Sequence, residues 1–155
     1  MGMLLSKSCE YGIRTALYLA SQPQKEFIPI HVIGEMLGVS PHFLTKILQH
    51  LTQEGIMQSL RGPRGGVALA RSPSELRLHE IVIAIDGPGL FTECVLGMPD
   101  CGEGQPCPLH ERWSQAREQV FAMFSELTLE ELGRRIVEEN LRITDVTSSS
   151  LTRNT

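Results

Sequence analysis

No apolar run in the sequence approaches the ~20 residues needed to cross a bilayer as a helix, so an integral helical membrane protein is not expected. The first residues do not read as an export signal or an anchor, because Lys7, Glu10 and Arg14 are threaded through the apolar positions. The expectation is a cytoplasmic chain with no membrane partner. Phosphate-loop and dinucleotide glycine signatures are missing, as is any Ser/His/acid constellation, and the five histidines form no cluster that would suggest catalysis. An enzyme is therefore not expected. No CxxC pair occurs among the four cysteines, although zinc ribbons usually pair their ligands in that way. A paired disulfide framework is not expected in a cytoplasmic chain either. There is no internal repeat.

An excess of positive charge is missing too, since the formal net charge is -4. Its distribution matters more than its sum. Residues 1–80 carry eight basic against six acidic side chains, and residues 81–155 carry six against twelve. Between Val39 and Arg71 the charges are Lys46, Arg61, Arg64 and Arg71 against Glu54 alone. A local basic face can meet phosphates while the chain as a whole stays acidic. At 155 residues there is room for one domain, or a small domain with an added assembly element.

Apolar periodicity predicts a mainly helical chain. Cys9, Ile13, Ala16, Leu17 and Ala20 form one stripe on a helix from Ser6 to Ser21, ended by Pro23. A short helix over Ile30–Leu37 stops at Gly38. Ser40-Pro41 starts a third helix, with Ser40 as cap and Pro41 at the first helical position. Leu44, Ile47, Leu48 and Leu51 point inward from it, and Gly55 marks its end. Two strand-like runs, Ile56–Leu60 and Val67–Ala70, flank Arg61-Gly62-Pro63-Arg64-Gly65-Gly66 and read as a hairpin with an extended tip. A fourth helix follows over Leu78–Asp86. From Gly87 to Cys107 the pattern dissolves into a loop of about 20 residues, a length that points to function or disorder. A fifth helix runs from Pro108 to about Leu127, with Trp113, Ala116, Val120, Met123, Phe124 and Leu127 as its apolar stripe. Thr128 caps a last helix through a capping box with Glu131. From Asn140 onward a disordered polar tail is expected.

Three helices followed by an Arg/Gly-tipped hairpin describe a winged helix-turn-helix, and the physics suits double-stranded DNA. A helix fits the major groove, and the polar residues of its first turns reach base edges. Ser40, His42, Thr45 and Lys46 are the candidates. Glycines in the wing allow close backbone approach, so that Arg61 and Arg64 can meet phosphates or a narrow minor groove. The competing reading is a solvated surface helix and a plain connector.

The loop reads Cys94-x6-Cys101-x5-Cys107-x2-His110. Thiolates are soft donors, and this spacing can wrap three sulfurs around a compact metal centre, with His110 within reach on the next helix. Without a CxxC pair an iron–sulfur cluster (2Fe-2S or 4Fe-4S) is favoured over zinc, with an inert or redox-switching loop as the further alternative. Glu10 is a second candidate for the fourth ligand, arriving from the first helix, although it can also pair with Arg14 at i+4. Cys9 reads as a buried small hydrophobe. The fifth helix carries Trp113, Val120, Phe121, Met123 and Phe124, too much apolar surface for a lone exposed helix, and is expected to pair with its copy in a homodimer.

The stretch from Leu5 to Arg14, the Gly38-Val39-Ser40-Pro41 turn, the Arg61–Ala70 wing and the three-cysteine loop ahead of a long helix resemble the Rrf-two superfamily of bacterial transcription regulators. The resemblance covers about residues 3–139. It implies a homodimer with one winged-helix head on each half-site of a near-palindromic operator, acting as a repressor or dual regulator. It also implies a cluster on the three loop cysteines that senses iron–sulfur status, oxidative or nitrosative stress. The Cys107-x2-His110 step is similar to the iron–sulfur-regulator pattern in that superfamily, and Glu10 corresponds to an acidic ligand of its nitric-oxide-sensitive members. The first cysteine gap is one residue longer than is usual there, which leaves the subfamily open. The alternative is the same fold with a zinc-filled or cluster-free loop, controlled by a metabolite or a partner protein. The expected fold is mainly α with a small β-hairpin wing, a winged helix-turn-helix plus a long C-terminal dimerisation helix. Its expected parts are a DNA-binding domain over 1–86, a cluster-binding loop over 87–107, a dimerisation helix with a short final helix over 108–139, and a tail over 140–155.

Overall fold

A computed structural model describes residues 4–22, 26–102 and 104–145. Among them the elements run α1 (Lys7–Ser21), α2 (Ile30–Leu37), α3 (Pro41–Gln53), β1 (Met57–Leu60), β2 (Gly66–Leu69), α4 (Leu78–Asp86), α5 (Gly89–Thr92), α6 (His110–Ser125) and α7 (Leu129–Glu138). The fold is the expected one, mainly helical with a two-stranded hairpin. No helix of the described residues is long and apolar enough to cross a membrane.

Helix α1 begins where the Ser6 hydroxyl accepts the Cys9 amide at 3.1 Å. Asp86, at the end of α4, in turn accepts the Ser6 amide at 2.9 Å and the Ser6 hydroxyl. Cys9, Ile13, Ala16 and Leu19 face inward from α1, and Cys9 is fully buried, as its place on the stripe predicts. Burial and the neighbouring Asp86 carboxylate push the Cys9 thiol up to about 12, so it behaves as a small apolar side chain. Gly38 ends α2 at φ 72°, turning the chain into α3. Ser40 caps α3 by accepting the Phe43 amide at 3.2 Å. Leu44, Ile47, Leu48 and Leu51 then bury against α1, and Tyr11 meets Phe43 edge to face at 5.8 Å between ring centres.

The hairpin pairs Met57 with Leu69 through Leu60 with Gly66. A further rung, which periodicity did not reveal, joins Val67 to Ile28 through two backbone hydrogen bonds of 2.9 Å. Gly66 makes that rung possible: at φ 152°, with the Ile28 backbone where a Cβ would stand, no other residue fits.

Three features depart from the expected division of the chain. The first is α5, a short helix inside what reads as loop. It forms because Phe91 packs against Phe121 and Phe124 of α6. The second is α7, which follows the predicted Thr128–Glu131 capping box and packs across α1 as part of the head. Leu129 is fully buried in the same core as the helix-turn-helix. The Leu129 amide donates to the Leu76 carbonyl at 2.9 Å, and Arg77 reaches the Ser125 and Glu126 carbonyls at 2.7 and 3.0 Å. The third is the tail. Residues 141–145 were expected to be disordered, yet they lie along α1 and α2 as a strap. Arg14 donates to the Ile143 carbonyl at 2.5 Å, the Thr144 hydroxyl donates to the Met36 carbonyl at 2.6 Å, and the Ile143 side chain packs on the core. One apolar residue and satisfied polar groups suffice to order a polar segment. The rest of the expected disordered tail, residues 146–155, lies outside the described residues.

Candidate functional site

Two sets of side chains carry the chemistry. The first lies on α3 and the hairpin tip. Ser40 and His42 are exposed at the start of α3, and Lys46 projects one turn further on. Thr45 is half-buried, with its hydroxyl donated to the Pro41 carbonyl at 2.7 Å. Arg61 and Arg64 stand exposed on the wing, and neither they nor Lys46 pairs with a carboxylate among the described residues. Thr45 and Arg61 line one groove of about 710 Å³ between α2, α3 and the hairpin. His31, Gln49, Gln53 and Ser59, which are not among the candidates for DNA contact named from the sequence, line it as well. Gln49 and Gln53 follow Thr45 at steps of four, so the helical period could have found them; His31 and Ser59 arrive only through the fold.

The second set is the loop between α5 and α6. The Sγ atoms of Cys94, Cys101 and Cys107 all lie within 4.8 Å of one another. Cys94 and Cys107 are 3.7 Å apart, and each of the three cysteines is half-buried. His110, in the first turn of α6, brings Nδ1 to 3.4 Å from the Cys101 sulfur. Local backbone shapes the cradle. Gly97 at φ 73° and Asp100 at φ 55° bend the loop, and the Gly97 amide closes a turn onto the Cys94 carbonyl at 3.0 Å. The Met98 amide, followed by that of Leu96, stabilises the Cys94 thiolate and brings its pKa down to about 7. Cys101 accepts the Cys107 amide at 3.3 Å, which favours its thiolate. Burial and the two neighbouring thiols outweigh that bond and hold Cys101 above the ordinary thiol value. A soft donor set of this kind, electron-rich and partly shielded, is suited to a thiophilic metal centre.

Glu10 stands apart from this set in the protomer. It pairs with Lys7 at 3.7 Å instead of with Arg14, and Arg14 turns to Asp145 at 3.4 Å and to Ile143. The apolar stripe read on α6 divides. Phe124 is buried inward, Val120 packs at the core's edge, and Ala116 and Met123 face outward, Met123 at 60% exposure.

Taken together, a winged helix-turn-helix head and a thiol-lined loop ahead of α6 define a DNA-binding regulator with three cysteines grouped closely enough to hold a metal. Residues 5–135 match the family model described as "Rrf2: Iron-dependent Transcriptional regulator". The chain belongs to the Rrf2 family and is a transcription regulator, not an enzyme. It is 30% identical over 130 residues to the HTH-type transcriptional regulator IscR of Photorhabdus laumondii, covering 84% of this chain and 79% of that one. It is 34% identical over 131 residues to protein aau3 of Rhizobium meliloti, covering 84% of each. Among solved structures, the global cysteine regulator CymR of B. subtilis superposes with a TM-score of 0.72 at 23% identity, over 86% of this chain and 98% of that one. The T. potens IscR structure superposes with a TM-score of 0.70 at 22% identity, over 92% and 94% respectively. These two likenesses establish the winged-helix fold.

Proposed function

We propose that this regulator binds a near-palindromic operator as a homodimer, and that an iron–sulfur cluster on Cys94, Cys101 and Cys107 sets its affinity for DNA. The observation that carries the reading is the convergence of three sulfurs within 4.8 Å, with His110 beside them. His110 is the proposed fourth ligand. When bound, the cluster supplies a centre that reacts with oxidants or nitric oxide and depends on the iron supply.

The chain's own residues do the rest. In the cytoplasm, each head docks α3 in a major groove through Ser40, His42, Thr45 and Lys46, while Arg61 and Arg64 meet the backbone beside it. The outward face of α6 pairs with its copy and sets the spacing of the two heads. The loop over 87–107 leaves α4 directly, and the last turn of α4 is bonded to both α1 and α3. Asp86 accepts from Ser6 at 2.9 Å, and the Ala84 carbonyl meets His50 Nε2 at 2.5 Å. A change in loop shape therefore bears on the position of α3.

The same Cys3His set fits tetrahedral zinc, and colour separates the two. Anaerobically purified protein is expected to be brown, with iron and sulfide bound. Single Cys→Ala changes at 94, 101 and 107 are each expected to abolish the visible spectrum. Colourless wild-type protein carrying zinc, or no metal, would overturn the cluster reading.

A further inference from the structure

The two ends of the cysteine loop are held in different ways. At its far end, Cys107 runs straight into α6, where the His110 amide donates to the Cys107 carbonyl at 3.1 Å. At its near end, Cys94 follows α5, and it stands thirteen positions before Cys107 in the chain, although the two sulfurs are 3.7 Å apart. Val95, Leu96 and Met98, the residues after Cys94, are 45 to 52% exposed, so burial of that stretch does not fix its position.

A pair of donors on α6 reaches the backbone just before it. Trp113 Nε1 and Arg117 Nη1 both donate to the carbonyl of Glu93, each at 2.8 Å. Glu93 is the residue immediately before Cys94. Trp113 and Arg117 are four apart on the helix and so share a face. One carbonyl has two lone pairs and receives both. The Arg117 bond is charge-assisted and geometrically stiff. The same carbonyl-bearing segment closes α5 through the Glu93 amide on the Gly89 carbonyl at 2.9 Å.

We propose that Trp113 and Arg117 are positioning residues for the cysteine site: they clamp the Glu93 carbonyl and so hold Cys94 beside Cys107 and the helix that carries His110. The part of this inference that concerns cluster retention rests on the proposed function; the part that concerns thiol placement does not. A clamp of this kind acts as the outer support of a ligand, where loss typically weakens metal retention by about tenfold or more.

The experiment compares wild type with Trp113→Phe, Arg117→Met and the double variant, which keep aromatic bulk and the aliphatic stem but remove the donors. In the cluster-free chain, diamide oxidises the Cys94 and Cys107 thiols to a disulfide, itself being reduced to the hydrazine, and peptide mapping follows the bond. The double variant is expected to form it several-fold more slowly, because its thiols are no longer held together. Each single variant retains one donor and should fall between. In protein reconstituted with iron and sulfide, chelator-driven loss of visible absorption should be about tenfold faster in the double variant, with an unchanged thermal unfolding midpoint of the apo chain. A wild-type cross-linking rate, or wild-type cluster retention, in the double variant overturns the inference. If wild type takes up no cluster while cross-linking still slows in the double variant, the clamp stands and the proposed function falls.

Discussion

Arg61 and Arg64 project from the wing without a carboxylate partner among the described residues, which leaves both charges free for phosphates. Changing either to Ala should weaken binding to all DNA sequences and reduce the slope of log K against log salt by about one. Titrations of a fragment selected from a random pool at several salt concentrations would show this; an unchanged slope would rule out the wing contact. Thr45→Ala or Lys46→Ala should instead change preference among variants of the selected site, by about 1–3 kcal/mol at the contacted base. For the fourth ligand, the protomer favours His110, at 3.4 Å from the Cys101 sulfur, over Glu10, which is engaged with Lys7. His110→Ala is expected to shift the visible spectrum or make the cluster labile, and Glu10→Gln to leave it nearly intact. The reverse pattern would assign the ligand to the Glu10 of a second copy. Residue types and spacing made the cysteines, His110 and the wing arginines legible in the sequence. The groove partners His31 and Ser59 were not, because they come from distant segments that only the folded chain brings beside Thr45.

Among the helices longer than one turn, α6 has the least burial for its length, with Phe124 its one buried residue. Its outward side chains include Ala116 and Met123, and these define the face expected to meet a second copy. Ala116→Glu with Met123→Glu should convert a dimer to a monomer in sedimentation at micromolar concentration and reduce operator affinity with it. Phe124→Glu would be uninformative, since it places a charge in the core beside Phe91 and destabilises the protomer itself. Helix α7 offers a separate test. A Cβ at Gly133 would stand 2.5 Å from the Ala20 carbonyl oxygen, so Gly133→Ala should cost roughly 1–3 kcal/mol in chemical unfolding by forcing α1 and α7 apart. The helix starts were legible because Ser40, Pro41 and the Thr128–Glu131 box are local signals. The destinations of α5, α7 and the strap were not. Phe91, Leu129 and Ile143 reveal their roles only through the partners they meet, and periodicity carries no information about partners.

In the whole molecule, the cysteine loop and α3 occupy different places, and in the proposed mechanism a signal from one would reach the other through bonded structure. The last turn of α4 is the joint. It opens into the loop at Gly87, touches α3 through Ala84 and His50 at 2.5 Å, and touches α1 through Asp86 and Ser6 at 2.9 Å. Ile85 also packs closely against Gly12, where a Cβ would stand 2.6 Å from its Cδ1. A joint so tightly packed is expected to transmit displacement instead of absorbing it. Coupling between two sites is a free energy, typically about 1–3 kcal/mol. Here it can be read as the ratio of operator affinities between cluster-loaded wild type and the Cys94→Ala chain. His50→Ala removes the bond to α4, while the buried face of α3, made by Leu44, Ile47, Leu48 and Leu51, is untouched. It is expected to draw that ratio toward one, with a stability loss of only about 1 kcal/mol. Asp86→Asn, which weakens the α1 contact but not the α3 contact, should draw it in the same direction by less. Fluorescence anisotropy under anaerobic conditions measures all four affinities needed for each variant cycle. A ratio unchanged by His50→Ala would mean that the joint only supports the head, and that the loop reaches DNA through the paired α6 helices, which would then respond to the Ala116→Glu, Met123→Glu double variant in its place.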